Sequence, residues 1–220
     1  MLLSMNVIEL FSSIDGEGKR QGFLTTFLRL HDCNIRCSYC DTLYSYGPES
    51  TFESMSVQAV ADVIEQLGNH RITITGGEPL LQESAVIELI DELTRRNARY
   101  DFNIETNGTI IPSFHRDNVW FTYDYKTPSS LAEDAMNLDI FKVATPADII
   151  KFVVGSMQDL DRMNEILKTY PTEAQIFVSP VWGNIEGATI IEYMKAHNWQ
   201  NVRFQLQIHK FIWDPDAKGV

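Results

Sequence analysis

The sequence predicts an α/β fold, a partial, open parallel β/α barrel of about six to seven strands, built as one domain over residues 1–220. Three observations predict it. Short β-rich runs alternate with amphipathic helical patterns, as successive βα units do. The helical patterns are fewer than the strands, so the winding falls short of a closed eight-fold barrel. The residues with the most chemistry follow strand patterns, which places them together on the rim where α/β barrels collect their functional groups. A doubly wound open sheet is the structural alternative.

FLTTFLRL (23–30) reads as the first barrel strand, and the loop HDCNIRCSYCDTLYSYG (31–47) follows it. VQAVADVIEQLG (57–68) has helical periodicity, with Ser56 placed to cap its N-terminus. RITIT (71–75) is the next strand and ends in TGGEP. In SAVIELIDELTRR (84–96), Val86, Ile87, Ile90 and Leu93 read as one buried helical face, while Glu88, Asp91, Glu92 and Arg95 face water. YDFNIE (100–105) is a strand ending in ETNG. TNGTIIPSFHRDN sustains no helical period, and VWFTYD (119–124) then returns as a strand ending in DYK. Residues 125–147 read as an insertion with short helical turns. DIIKFVV (148–154), the helical MQDLDRMNEILKTY (157–170), QIFVS (175–179), the helical TIIEYMKAHNW (189–199) and VRFQLQ (202–207) complete the series.

Composition narrows the function classes. With 18 basic against 30 acidic residues, a net charge of −12, the chain repels a phosphate backbone, which argues against nucleic-acid binding. No apolar run approaches the ~20 residues that span a bilayer, so no membrane partner is expected. MLLSMNVIELFSSIDGEG lacks a basic n-region and carries Glu9 in its apolar stretch, so it does not read as a secretory signal. The expected compartment is the cytoplasm.

All 3 cysteines of the chain fall within eight positions, as Cys33, Cys37 and Cys40. In a reducing compartment an odd, clustered trio points to metal or redox chemistry and away from a disulfide framework. A structural zinc needs a fourth ligand, for which His31 is the local candidate. A cubane iron–sulfur cluster on three thiolates leaves one iron without a protein ligand and open to chemistry.

CNIRCSYCD, with aromatic Tyr39 before the last cysteine, resembles the CxxxCxΦC motif of the radical S-adenosylmethionine superfamily, and TITGGEP (73–79) resembles its second, glycine-rich motif. That resemblance implies a 4Fe-4S cluster on Cys33, Cys37 and Cys40 whose open iron chelates the methionine moiety of S-adenosylmethionine. Electron transfer then yields a 5′-deoxyadenosyl radical. ELFSSIDGEGKRQGFLTTFLRL (9–30), CDT (40–42), ETNGT (105–109) and RFQLQIHKFIW (203–213) together resemble the 7-carboxy-7-deazaguanine synthase family over nearly the whole chain, most specifically in SIDGEG and the C-terminal QIH. The family converts 6-carboxy-5,6,7,8-tetrahydropterin to 7-carboxy-7-deazaguanine with loss of ammonia, in 7-deazapurine (queuosine) biosynthesis.

Transferred by position, the resemblance implies that Ile14, Asp15 and Gly16 face the pterin with Glu17 nearby, that Arg29 pairs with its carboxylate, and that Thr75, Gln207 and His209 touch it. It implies S-adenosylmethionine contacts from Tyr39, Cys40, Asp41, Gly77, Glu105, Asp124, Tyr125, Lys126 and Ser179, and a Mg2+ contact from Thr42. It further implies a homodimer and a flavodoxin or ferredoxin as electron donor. The chain departs from the family in Asp15, where many relatives carry Gln, and in Asp124-Tyr125, where relatives often carry Ser-Pro. DPDAKGV follows Trp213, so no role of a terminal carboxylate is transferred. An activating enzyme for a glycyl-radical protein, in the same superfamily, is the alternative; the pairing of SIDGEG with QIH distinguishes the two.

Overall fold

A computed structural model describes residues 3–220. Among these residues nine strands form one open sheet in the order β3-β1-β2-β4-β5-β6-β7-β8-β9. β2 (Leu24–Leu30), β4 (Arg71–Gly76), β5 (Asp101–Thr106), β6 (Val119–Lys126), β7 (Ile149–Val154), β8 (Gln175–Pro180) and β9 (Val202–Phe204) run parallel. These are the strands the sequence predicts. The last is shorter than expected, because after Phe204 only the Gln205 N–H still reaches the sheet, at Val178 O. Gln207 and His209 therefore sit beyond the strand, in a loop and at the start of a short helix.

β1 (Ser4–Ile14) and β3 (Glu53–Ser56) extend the sheet. β1 pairs antiparallel with β2 through its C-terminal part and with β3 through its N-terminal part. This antiparallel edge delivers Ile14 and the loop after it to the barrel mouth.

The helices α1 (Val57–Leu67), α2 (Glu83–Arg96), α3 (Ile140–Val143), α4 (Met157–Thr169) and α5 (Gly187–Ala196) follow the predicted helical patterns and the short turns of the insertion, whereas α6 (His209–Ile212) falls where the sequence predicts no helix. Ser56 caps α1, its side chain accepting from Ala59 N at 3.2 Å, and Gly68 ends it in the left-handed region that glycine enters without strain. On α2 the buried face is Ala85, Val86, Leu89, Ile90 and Leu93. Leu89, not Ile87, completes the i, i+3, i+4, i+7 stripe from Val86, and Ile87 is half-buried at its margin.

Strand alternation sorts the sheet into two faces. Leu28, Ile72, Ile74, Phe102, Ile104, Tyr123, Ile150 and Phe152 belong to the apolar core shared with the helices. The residues between them, Arg29, Thr75, Glu105, Asp124 and Lys151, turn to the concave side and line a single cavity. One face of the sheet holds the fold together, and the other carries the chemistry.

Candidate active site

The cavity has a volume of about 270 Å³ and opens at the C-terminal ends of the parallel strands. It brings together Ile14, Asp15, Gly16, Glu17, Arg29, Cys33, Cys37, Tyr39, Cys40, Asp41, Thr42, Thr75, Gly77, Glu105, Asp124, Lys126, Gln207 and His209. Two predicted residues are not brought there. Tyr125 has the opposite strand parity from Asp124 and Lys126; its ring packs against Phe152 at 4.9 Å and its hydroxyl donates to Glu133 at 2.9 Å. Ser179 lies beside Val153 in register, fully buried, with no hydrogen-bond partner for its hydroxyl, but does not line the cavity.

The cysteine loop is held by the two turns that face it. Gly76 has φ +144, and a Cβ there would collide with the Leu30 backbone; at Gly77 it would collide with the Asp32 carbonyl. The turn lies against the chain entering the loop, with Gly77 N donating to Leu30 O at 3.1 Å and Glu78 N to Asp32 O at 2.7 Å. Glu78, fully buried, accepts from Leu80 N (3.0 Å), Thr106 Oγ1 (2.9 Å) and Asn107 N (2.7 Å). Asn107 reaches back to the loop, donating to Asn34 Oδ1 at 2.9 Å and to Cys33 Sγ at 3.7 Å. The three rim segments thus form one hydrogen-bonded unit.

All three thiols are free. Burial pushes the Cys33 thiol up and the Cys37 thiol up to about 11, so a positive centre is needed to draw thiolates from them. No three His, Cys, Asp or Glu side chains among the described residues are arranged to hold one metal ion. His31 packs on Phe52 at 4.3 Å, away from the cavity. The three cysteines line one cavity and His31 lies outside it, so the donor set is three thiols, which suits a cluster with one open iron and leaves a structural zinc without its local fourth ligand. Across the cavity, Asp124 Oδ1 is buried without a partner, an acceptor in place for a ligand's donor. The donor set fits a 4Fe-4S cluster with S-adenosylmethionine beside it.

The opposite wall joins the loop after β1 to the segment before α6. Gly18 N donates to Gln205 Oε1 at 2.8 Å, Ile208 N to Gly16 O at 3.2 Å, and Gln207 Nε2 to Glu17 Oε2 at 3.3 Å. A Cβ at Gly16 would strike the His209 ring, so only glycine permits this contact. SIDGEG and QIH, far apart in sequence, are two halves of one wall. Burial pushes the His209 imidazole below its ordinary value, against the pull of Glu17.

Asp15 is tied down on one oxygen. Its Oδ2 accepts from Thr73 Oγ1 at 3.3 Å and lies 3.3 Å from Arg20 Nε, and the Arg20 guanidinium packs 4.5 Å over Trp120. Asp101 Oδ1, 3.1 Å from Arg20 Nη1, is a second carboxylate on this buried cation, so Asp15 shares its compensation. Arg29 donates from Nε to Glu9 Oε1 at 2.7 Å, and Tyr44 OH shares that acceptor at 2.8 Å. Among the described residues its two Nη atoms make no protein hydrogen bond, leaving an edge for a carboxylate.

Sequence reasoning missed several residues here. Asn107 is one, and Lys151 another; the signal for Lys151 is a lone cation in the otherwise apolar strand IIKFVV. The segment Pro215–Val220 also lines the mouth, with Lys218 Nζ 4.2 Å over the Tyr44 ring.

Glu105, accepting from Thr75 Oγ1 at 3.4 Å, is pushed up to about 7, first by burial and then by Glu17, Asp15 and Asp124, with Lys151 opposing. A carboxyl raised in the folded state stabilises fully below its unfolded value of about 4.3, and that contribution is lost as pH rises through its folded value. In urea titrations between pH 5 and 8, Glu105→Gln is therefore expected to be stabilised relative to the parent chain as pH rises. A difference that stays constant with pH would show that Glu105 titrates normally.

The matching family model is the radical SAM superfamily, over residues 29–153. The chain is 37% identical to the 7-carboxy-7-deazaguanine synthase of Clostridium acetobutylicum, covering 99% of this chain and 100% of that one. It is also 37% identical to the enzyme of the same name from Methanospirillum hungatei, over 96% of this chain and 86% of the other. The crystal structure of QueE from Escherichia coli superposes with a TM-score of 0.70 at 24% identity, covering 92% of this chain and 93% of that one, and so shares the fold. With both cysteine and glycine motifs on one rim and full-length relatives on both sides of the cavity, the chain belongs to the radical S-adenosylmethionine superfamily and, within it, to the 7-carboxy-7-deazaguanine synthase family.

Proposed function

We propose that the protein contracts the ring of 6-carboxy-5,6,7,8-tetrahydropterin to 7-carboxy-7-deazaguanine with loss of ammonia, in 7-deazapurine (queuosine) biosynthesis. The observation that carries this reading is the cavity itself, which joins the cysteine loop on one side to the interlocked IDGE and QIH segments on the other. An activating enzyme acting on a protein backbone has no need of that second wall.

Cys33, Cys37 and Cys40 would hold a cluster that, with S-adenosylmethionine beside it, would supply one-electron reduction and reversible hydrogen-atom abstraction at C6 of the pterin. Tyr39, Asp41, Gly77, Glu105, Asp124 and Lys126 line the S-adenosylmethionine side. Arg29 offers its free guanidinium edge to the pterin carboxylate. Glu17 and the backbone carbonyl of Ile14 accept the N–H groups of the pterin's guanidine edge, Gly16 lies against it, and Thr75, Gln207 and His209 close the ring's other sides. Held between the two walls, the pterin would be shielded from water and fixed in one orientation.

Thr42 lines the cavity with its Oγ1 3.7 Å from Cys40 Sγ, and we assign it to Mg2+, a hard ion that favours oxygen. From the family resemblance we read the protein as a cytoplasmic homodimer that takes its electron from a flavodoxin or ferredoxin. Among the described residues no helix is long and apolar enough to cross a membrane.

Anaerobic titration of the reconstituted, S-adenosylmethionine-loaded protein with carboxytetrahydropterin should give saturable one-site binding. Thr42→Val should keep S-adenosylmethionine binding and lose most of the Mg2+ dependence of turnover. Absence of pterin binding by the parent protein contradicts the substrate assignment, and unchanged Mg2+ dependence in Thr42→Val contradicts the metal assignment.

A further inference from the structure

Lys151 is a buried cation in the middle of β7, whose other residues are all buried and apolar. An ammonium taken out of water is costly unless paired, and a methionine of similar length would pack there without that cost. What surrounds Lys151 is acidic. Its Nζ lies 3.3 Å from Glu17 Oε2 and 3.6 Å from Asp124 Oδ2, and the Glu105 carboxylate is a third charge acting on it.

The two measured contacts differ in kind. Asp124 is the register neighbour of Lys151 on the adjacent strand and already has Lys126 Nζ at 3.0 Å. Its charge is compensated without Lys151. Glu17 comes from the loop after β1, and the other groups on its carboxylate are the neutral amides of Gln207, at 3.3 Å, and Gln205, at 3.5 Å. Lys151 is the one cation within salt-bridge distance of Glu17 among the described residues. It stands where the loop, the segment before α6 and the sheet meet.

We propose that Lys151 is a positioning residue for substrate: its ammonium pins Glu17 to the sheet and holds that carboxylate as the ionic acceptor for a neutral N–H-rich heterocycle edge. The inference rests on the pterin reading of the cavity and adds to it the residue that aims the wall facing the pterin. Lys126 keeps Asp124 compensated when Lys151 is removed, so the larger effect falls on the heterocycle, and S-adenosylmethionine feels only the smaller change carried by Glu105.

The test compares the parent chain, Lys151→Met, Glu17→Gln and the double variant as reconstituted holoproteins, reading KM and kcat with carboxytetrahydropterin and the Kd of each small molecule by titration. Losing one partner of a buried pair leaves the other unsatisfied, so Lys151→Met should raise pterin KM and Kd by at least about tenfold, with a smaller change in kcat and S-adenosylmethionine Kd within about threefold of the parent. In the Glu17→Gln background the same change should raise pterin Kd by less than about threefold, because the group it positions is already neutral. That background also restores charge balance, so where Lys151→Met alone folds poorly, a pterin Kd raised about tenfold or more from Glu17→Gln to the double variant still overturns the proposal. Parental pterin KM and Kd in Lys151→Met overturn the proposal, as does an equal loss in the two backgrounds. If the parent protein itself binds no pterin, the substrate reading fails first and this inference with it.

Discussion

Cys37→Ala is expected to abolish S-adenosylmethionine cleavage while leaving the protein folded. Cys37 is half-buried, and Cys40 N donates to its backbone carbonyl at 3.3 Å, a contact that alanine keeps. Removing one partly exposed sulfur costs the fold about 1 kcal/mol or less. The cluster, by contrast, has three protein ligands and no spare, since His31 faces Phe52 and no other cysteine exists in the chain. The two effects therefore separate by orders of magnitude. The measurements are iron content, visible absorbance and 5′-deoxyadenosine after anaerobic reduction, read beside the melting temperature. A variant that still formed 5′-deoxyadenosine at the parental rate would remove Cys37 from the cluster.

Glu78→Ala is expected to be the most destabilising single change at the rim. The carboxylate is fully buried and accepts three hydrogen bonds, two of them from the backbone N–H groups of Leu80 and Asn107. Alanine leaves those donors and the Thr106 hydroxyl unsatisfied in a site closed to water, at about 1–3 kcal/mol for each group that finds no new partner. For a domain of this size, a loss of about 3 kcal/mol lowers the melting temperature by roughly 6–12 °C. The consequence reaches the cysteines, because Asn107 is the residue that Glu78 places against Cys33 and Asn34. Cluster occupancy in Glu78→Ala should fall with stability, and Glu78→Gln, which keeps one acceptor oxygen, should lie between. A Glu78→Ala protein with parental melting temperature and iron content would show that the turns are not coupled through this carboxylate.

What could be read from the sequence follows from how local each signal is. The parallel strands announce themselves in runs such as RITIT and DIIKFVV, and the cysteine loop in its spacing, because both are contained in a few adjacent residues. β1 was not legible as a strand. Its alternation is broken by Glu9 and by Ser12-Ser13, and its partners, β2 and β3, are antiparallel neighbours on an edge where the barrel pattern is no guide. Tyr125 shows the limit of transferring a motif as a block, because neighbours on a strand face opposite sides and only Asp124 and Lys126 reach the cavity. Leu89 displaced Ile87 from the α2 face for a similar reason of phase. Lys151 and Asn107 were overlooked because their importance lies in partners that no sequence window contains: Glu17 from the loop after β1, and Cys33 from the loop after β2. The interlock of Gly16 with His209 could be suspected from two motifs occurring together, but its cause, a ring packed where a Cβ would stand, needed the fold.

Ring contraction is tested most directly by anaerobic turnover of 6-carboxy-5,6,7,8-tetrahydropterin by the reconstituted protein with Mg2+ and a low-potential reductant, counting 7-carboxy-7-deazaguanine against S-adenosylmethionine consumed. Many product molecules are expected for each S-adenosylmethionine lost, because the abstracted hydrogen is returned and the cofactor regenerated. Steady accumulation of 5′-deoxyadenosine with no deazaguanine would contradict it.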